Sequence, residues 1–140
     1  MGIRNMRDYL ILTNNPLVRD CMDGHGTYTI ELHEDKSYRE ILVMARDLVY
    51  KGHTLYTHPL AGSVKPNETP YKSLIVSKAV HGFDMDQSTL IANAIGVVDK
   101  FPEVHKDFPE QVLKDFQLID YSLLAGAIDF DAVAGLSNKK

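Results

Sequence analysis

The chain has 140 residues, 44% of them apolar and 24% charged, with a formal net charge of −4 and a single cysteine, Cys21. That length suits one domain able to bury about two-thirds of the surface its unfolded chain exposes. The acidic balance argues against a nucleic-acid protein built on a broad basic face, and one cysteine excludes an intramolecular disulfide and a cysteine-based metal site.

The opening stretch, MGIRNMRDYLILTNNP, has no apolar segment of signal-peptide length. No run reaches the roughly 18 apolar residues of a membrane span, and Met6 stands where a myristoylation signal needs Ser or Thr. A reduced, cytoplasmic protein with no membrane partner is expected. On that reading the sequon Asn67-Glu68-Thr69 carries no sugar.

Residues 9–13, Tyr-Leu-Ile-Leu-Thr, form a continuous apolar run and predict a strand buried on both faces. Asn14-Asn15-Pro16 breaks it. Pro16 suits the first turn of a helix over Leu17–Met22, with Asn15 as its N-cap. Free cysteine behaves as a small apolar residue, so Cys21 is expected to be buried and inert. Thr27–His33 alternates, with Tyr28, Ile30 and Leu32 on one side, which predicts a half-exposed strand near a sheet edge.

Ser37-Tyr38-Arg39-Glu40 is a capping box. The helix it opens aligns Ile41, Leu42, Ala45, Leu48 and Val49, and Gly52 stands where a left-handed C-terminal residue is wanted. Thr54–Thr57 reads as a third strand and Ser73–Ser77 as a fourth. Asp84 or Asp86 can cap a helix carrying Leu90, Ile91, Ala94, Ile95, Val98 and Phe101, stopped by Pro102. Asp107 and Glu110 resemble a further capping box, ahead of a helix with Val112, Leu113, Phe116, Ile119, Leu123 and Leu124. From Asp129 the periodicity ends, so residues 1–128 read as the domain and 129–140 as a frayed tail.

Strands alternating with helices predict a single α/β domain, with a mainly parallel sheet of about four strands in a Rossmann-like three-layer arrangement. The link from the third to the fourth strand shows no helical pattern, which leaves the direction of the fourth open. In a parallel sheet, ligands bind outside the carboxyl ends of the strands. Thr13-Asn14-Asn15 and His58 leave strands at that edge.

The segment between His58 and Pro70 is long for a connection. It holds Pro59, Pro66 and Pro70, which fix φ at three points. Its polar residues Ser63, Lys65, Asn67, Glu68 and Thr69, with Lys72 just beyond, are candidates for an anion-binding wall. Arg19 and the backbone N–H groups after Asn15 could add to it. Taken singly, the asparagines read as caps and turns, and the lysines as solvated charges.

His58 is the one candidate general acid/base, with Glu68 as a possible orienter. His53 and His58 point to opposite faces of an extended segment, about 16 Å apart, which argues against a metal pair. His25 and His33 have no ligand at a recognised spacing. GxGxxG, GxxxxGK[ST] and GxSxG signatures are absent, so no nucleotide or other cofactor is implied.

Three segments carry a family resemblance: YLILTNNPLVRD (9–20), KGHTLYTHPLAGSVKPNETPYKSLIVSK (51–78) and DFQLIDYSLL (115–124). Together they resemble the GrdX family, small proteins associated with glycine, sarcosine and betaine reductase gene clusters of anaerobic amino-acid-fermenting bacteria. The resemblance implies the setting of selenium-dependent reductive deamination and supplies no catalytic residues. The reductases use selenocysteine and redox thiols, and Cys21 lies outside the distinctive segments.

The expectation is therefore a non-catalytic accessory protein, binding an anionic small molecule or a reductase component at the carboxyl edge of its sheet. The alternatives are a small enzyme using His58 and a structural subunit that self-associates through its last helix.

Overall fold

The computed structural model describes residues 9–22, 28–60, 69–101 and 107–138, with side-chain surroundings given as far as residue 128. The elements in chain order are β1 (Tyr9–Thr13), α1 (Pro16–Met22), β2 (Thr29–Leu32), α2 (Tyr38–Tyr50), β3 (His53–Leu55), β4 (Ser73–Val80), α3 (Met85–Val98) and α4 (Glu110–Asn138).

The four strands form one sheet in the order β2-β1-β4-β3. β1 and β2 are parallel, joined through α1, but β4 is antiparallel to both β1 and β3. The sheet is therefore mixed and mostly antiparallel, which corrects the expectation of a mainly parallel, Rossmann-like sheet. A parallel neighbour needs a crossover of a dozen or more residues, usually helical. The described parts of the link from β3 to β4 carry no helix, and the chain turns back on itself. β4 enters between β1 and β3, so those two strands run parallel to each other one strand apart.

The apolar run of β1 feeds both faces. Leu12 packs with Leu74 and Val76 of β4 beneath α2 and α3, where Ile41, Leu42, Val49, Ile91 and Val98 complete one core. Tyr9 and Ile11 pack with Ile75 on the opposite face, against Val18 and Met22 of α1 and Leu124 and Ile128 of α4. Alternation along a strand sends neighbours to opposite sides, so each fully buried aliphatic in either layer contributes about 1.5–3 kcal/mol. β2 lies at the sheet edge, with an alternating exposed and half-buried pattern.

Local chemistry sets the helix ends. Ser37 and Glu40 make both bonds of the capping box on α2. Gly52 follows α2 at φ 104°, and a Cβ there would meet Val80 Cγ1 at 2.8 Å. Asp84, rather than Asp86, caps α3, accepting from the N–H groups of Asp86 and Gln87. The Gln87 side chain then reaches back to β3, accepting from Leu55 N–H and donating to Leu55 O, both at 2.9 Å.

α4 begins at Glu110, with Leu113 N–H bonded to Pro109 O. Asp107 stands ahead of the helix and outside its first turn. The backbone of α4 continues helical to Asn138, through the stretch where the sequence loses its periodicity. Pro102 lies outside the described residues. Among the described residues no helix is long and apolar enough to cross a membrane.

Candidate functional site

β1 ends where β4 begins, with Thr13 paired opposite Ser73. The polar residues flanking this junction are buried. Asn14 is fully buried and ties three segments together. Its Nδ2 donates to Lys36 O at 2.9 Å and Pro70 O at 2.8 Å, and its Oδ1 accepts from Lys72 N–H at 2.8 Å. The Asn14 N–H also donates to Lys72 O at 3.3 Å. Lys72 is thus pinned through its own backbone on both sides.

Asn15, also fully buried, caps α1 by accepting from Leu17 N–H at 3.0 Å. Its Nδ2 donates across to α4, to Gln117 O at 2.9 Å and Asp120 Oδ2 at 3.0 Å. Thr13 Oγ1 accepts from Asn15 N–H and shares a 2.7 Å bond with Ser73 Oγ, which donates to Asp120 Oδ2 at 2.6 Å. Gln117 also donates to the Tyr71 hydroxyl at 2.8 Å. This network docks α4 on the sheet edge and sets the direction of the Asp120 carboxylate.

A cavity of about 200 Å³ opens between this network and α4, lined by Thr57, His58, Lys72, Ser73, Asp120, Leu123, Leu124 and Ala127. Lys72 is 4% exposed. Its Nζ lies 5.3 Å from the centre of the Tyr38 ring, a distance at which the ring face attracts the cation. Burial lowers the Lys72 ammonium from 10.5 to about 8, and the charge of Asp120 only partly opposes this. Burial raises the Asp120 carboxyl above its ordinary range, while the bonds from Ser73 and Asn15 and the Lys72 charge pull it back. Ionisable groups perturbed in this way at a cavity wall make it a candidate functional site.

His58 is exposed and borders the cavity. Its Nδ1 accepts from Leu60 N–H at 3.1 Å, so the neutral ring carries its proton on Nε2. Thr69 is half-buried, and its Oγ1 accepts from Tyr71 N–H at 3.2 Å in a local turn. Ser63, Lys65, Asn67 and Glu68 lie outside the described residues, as does His25.

Several expectations change. Lys72, a candidate for the anion-binding wall, is buried and lines the cavity with its backbone held by Asn14, so the alternative reading of it as a solvated charge does not hold. Arg19 is half-exposed on α1 and pairs with Asp20 at 3.1 Å and Glu34 at 3.7 Å, apart from the cavity lining. The N–H groups of Leu17 and Val18 are bonded to Asn15 itself, so the start of α1 offers them to no anion. Cys21 is exposed, not buried, because Val18 and Met22 take the core-facing side of α1.

Asp120, Gln117, Tyr71 and Ser73 were not among the expected site residues. The available signal was the DFQLID segment, which ends in Asp120 and contains Gln117. Among the described residues no cluster of three or more His, Cys, Asp or Glu is placed to hold a metal ion.

Comparison with family models matches residues 10–129 to the GrdX-like protein family, and the chain belongs to that family. Comparison with curated proteins and with solved structures gives no match.

Proposed function

We propose that this GrdX-like protein is a non-catalytic, cytoplasmic accessory of glycine, sarcosine and betaine reductase systems that binds a small charged molecule in the cavity between β4 and α4. The family name supports the setting. The observation that carries the binding is Lys72, a buried lysine that lines the cavity and whose backbone is held by Asn14. Its burial disfavours its charge, a disadvantage that a bound carboxylate or phosphate would relieve.

The size of the cavity favours a small molecule over an acidic segment of a reductase component. Drug-sized ligands occupy clefts of roughly 300–1,000 Å³, and about 200 Å³ suits something smaller. The enzymatic alternative draws on His58 and Lys72, which line one cavity. The self-association alternative draws on Leu118 and Ile119 of α4, each 56% exposed.

Calorimetric titration of the full chain with acetate, glycine and inorganic phosphate tests the binding. Saturable binding that Lys72→Met abolishes is expected. Binding unchanged in the variant, or absent with every probe, overturns the reading.

A further inference from the structure

We infer that the cavity selects a small zwitterion over a simple anion, because Lys72 and Asp120, residues of opposite charge, line it together with the apolar Leu124 and Ala127. This rests on the reading of the cavity as the ligand site and names the class of ligand.

The charge arrangement is the argument. A monoanion drawn to Lys72 would also face Asp120, and a monocation drawn to Asp120 would also face Lys72. Like charges held together in a partly desolvated space are strongly disfavoured. Each wall therefore rejects the ligand that the other would attract, which is how specificity arises from a repulsive element. A molecule carrying both charges satisfies both walls.

The site is also built in advance of a ligand. The Asp120 carboxylate is fixed by Ser73 Oγ and Asn15 Nδ2 at Oδ2 and by a further bond from the Ser73 backbone. Ser73 is held by Thr13, and Asn15 is held by Gln117 O. Lys72 is fixed at its N–H and its C=O by Asn14. Groups ordered before binding lower its entropic cost. Lys72 and Asp120 attract through space but do not close into a salt bridge among the described residues. At about 200 Å³ the cavity admits only a short molecule, with its two charges a few bonds apart.

Matched probes test this by calorimetry on the full chain. Glycine, β-alanine and γ-aminobutyrate supply both charges at increasing separation. Acetate, propionate and butyrate supply the anion alone, and methylamine, ethylamine and propylamine the cation alone. At least one zwitterion should bind about tenfold or more tightly than both of its single-charge partners. Asp120→Asn keeps an amide oxygen able to accept from Ser73 and Asn15. It should lower zwitterion affinity, raise carboxylate affinity and so narrow the preference by about tenfold. Lys72→Gln should erase the preference over the amine, which gives a second variant if the first fails to fold.

Carboxylates binding as tightly as zwitterions to the wild-type chain would overturn the zwitterion inference and leave the anion reading standing. No binding by any of the three sets would overturn both.

Discussion

Asn15 and Asp120 stand 105 positions apart in the chain and are joined by a 3.0 Å hydrogen bond from Asn15 Nδ2 to Asp120 Oδ2. The same side chain caps α1 through its Oδ1. One buried amide therefore starts a helix, docks another and orients the carboxylate that borders the cavity.

Asn15→Ala removes all three functions. A cap is worth about 1 kcal/mol, and a hydrogen bond to a charged group about 1.5–3 kcal/mol. The variant should lose about 2–4 kcal/mol, read as a lower urea midpoint at unchanged slope. A loss under about 0.5 kcal/mol, the range of an ordinary surface change, would show that the bond to Asp120 does not hold α4 in place.

Lys72→Met should be at least as stable as the wild type at pH 7, because burial outweighs the attraction of Asp120 in the balance on Lys72. The pH dependence follows from the lowered folded-state value. Between about 8 and 10.5 the unfolded chain holds more protons on Lys72 than the folded chain does, so stability rises with pH across that window. Below about 8 the penalty is present in full. Its ceiling is roughly 3 kcal/mol, at 1.36 kcal/mol per decade of proton affinity. Chemical denaturation at pH 7, 8.5 and 10 should show the rise in the wild type and its loss in Lys72→Met. A flat wild-type profile would contradict the burial of the charge.

Asp120 carries the opposite sign. Its folded-state value is raised, so its contribution is greatest below the unfolded carboxylate range and is lost as pH rises through the folded value. The difference in stability between wild type and Asp120→Asn, followed from pH 3 to pH 7, should grow in favour of Asn as pH rises. A constant difference would mean that burial does not disfavour the carboxylate.

Gly52→Ala should destabilise by about 1–3 kcal/mol, since a non-glycine residue there is strained and its Cβ would press on Val80. Gly52 O also accepts from His81 and Gly82 N–H, so the strain falls on the turn that follows β4. Thermal denaturation should place this variant well below Gly82→Ala. Gly82 shares a positive φ of 117°, but a Cβ there meets nothing within 4 Å. Equal melting temperatures would assign the whole effect to backbone conformation.

Cys21 should react with a neutral-pH thiol reagent in the native state at a rate close to that of the unfolded chain, because its side chain is exposed. Slow labelling that needs denaturant would place it in the core after all. Cys21→Ser should leave stability within about 0.5 kcal/mol of the wild type.

The features legible in the sequence are those whose physics is local. The buried run of β1, the Asn15 cap, the Ser37–Glu40 capping box, the left-handed Gly52 and the alternating edge strand each depend on residues within one or two turns of chain. α1 shows where local reading fails. Val18 and Met22, four apart, fill its one buried stripe, and Cys21 beside them is left outside although its chemistry suits either place. That Asn14, Asn15, His58 and Lys72 leave or enter strands at one edge was legible too, and two of them, His58 and Lys72, line the cavity.

Tertiary structure alone decided the direction of β4, the burial of Lys72 and the placement of Asp120 at the cavity. A strand pairs as readily either way until its neighbours are set, and the turn from β3 into β4 fixed that choice across the sheet. A lysine ahead of a strand has every local reason to stay in water. Lys72 is carried inward because Asn14, 58 positions away, binds its backbone. Asp120 stands in the last helix beside the apolar Ile119 and carries no local signal of a site, and it lines the cavity where Asn15 and Ser73 bond its carboxylate across to the sheet edge. Hydrogen bonds between residues so far apart in sequence exist only once the chain has closed on itself. The charge pattern of the cavity is therefore a property of the fold, written in residue types whose positions the sequence alone does not bring together.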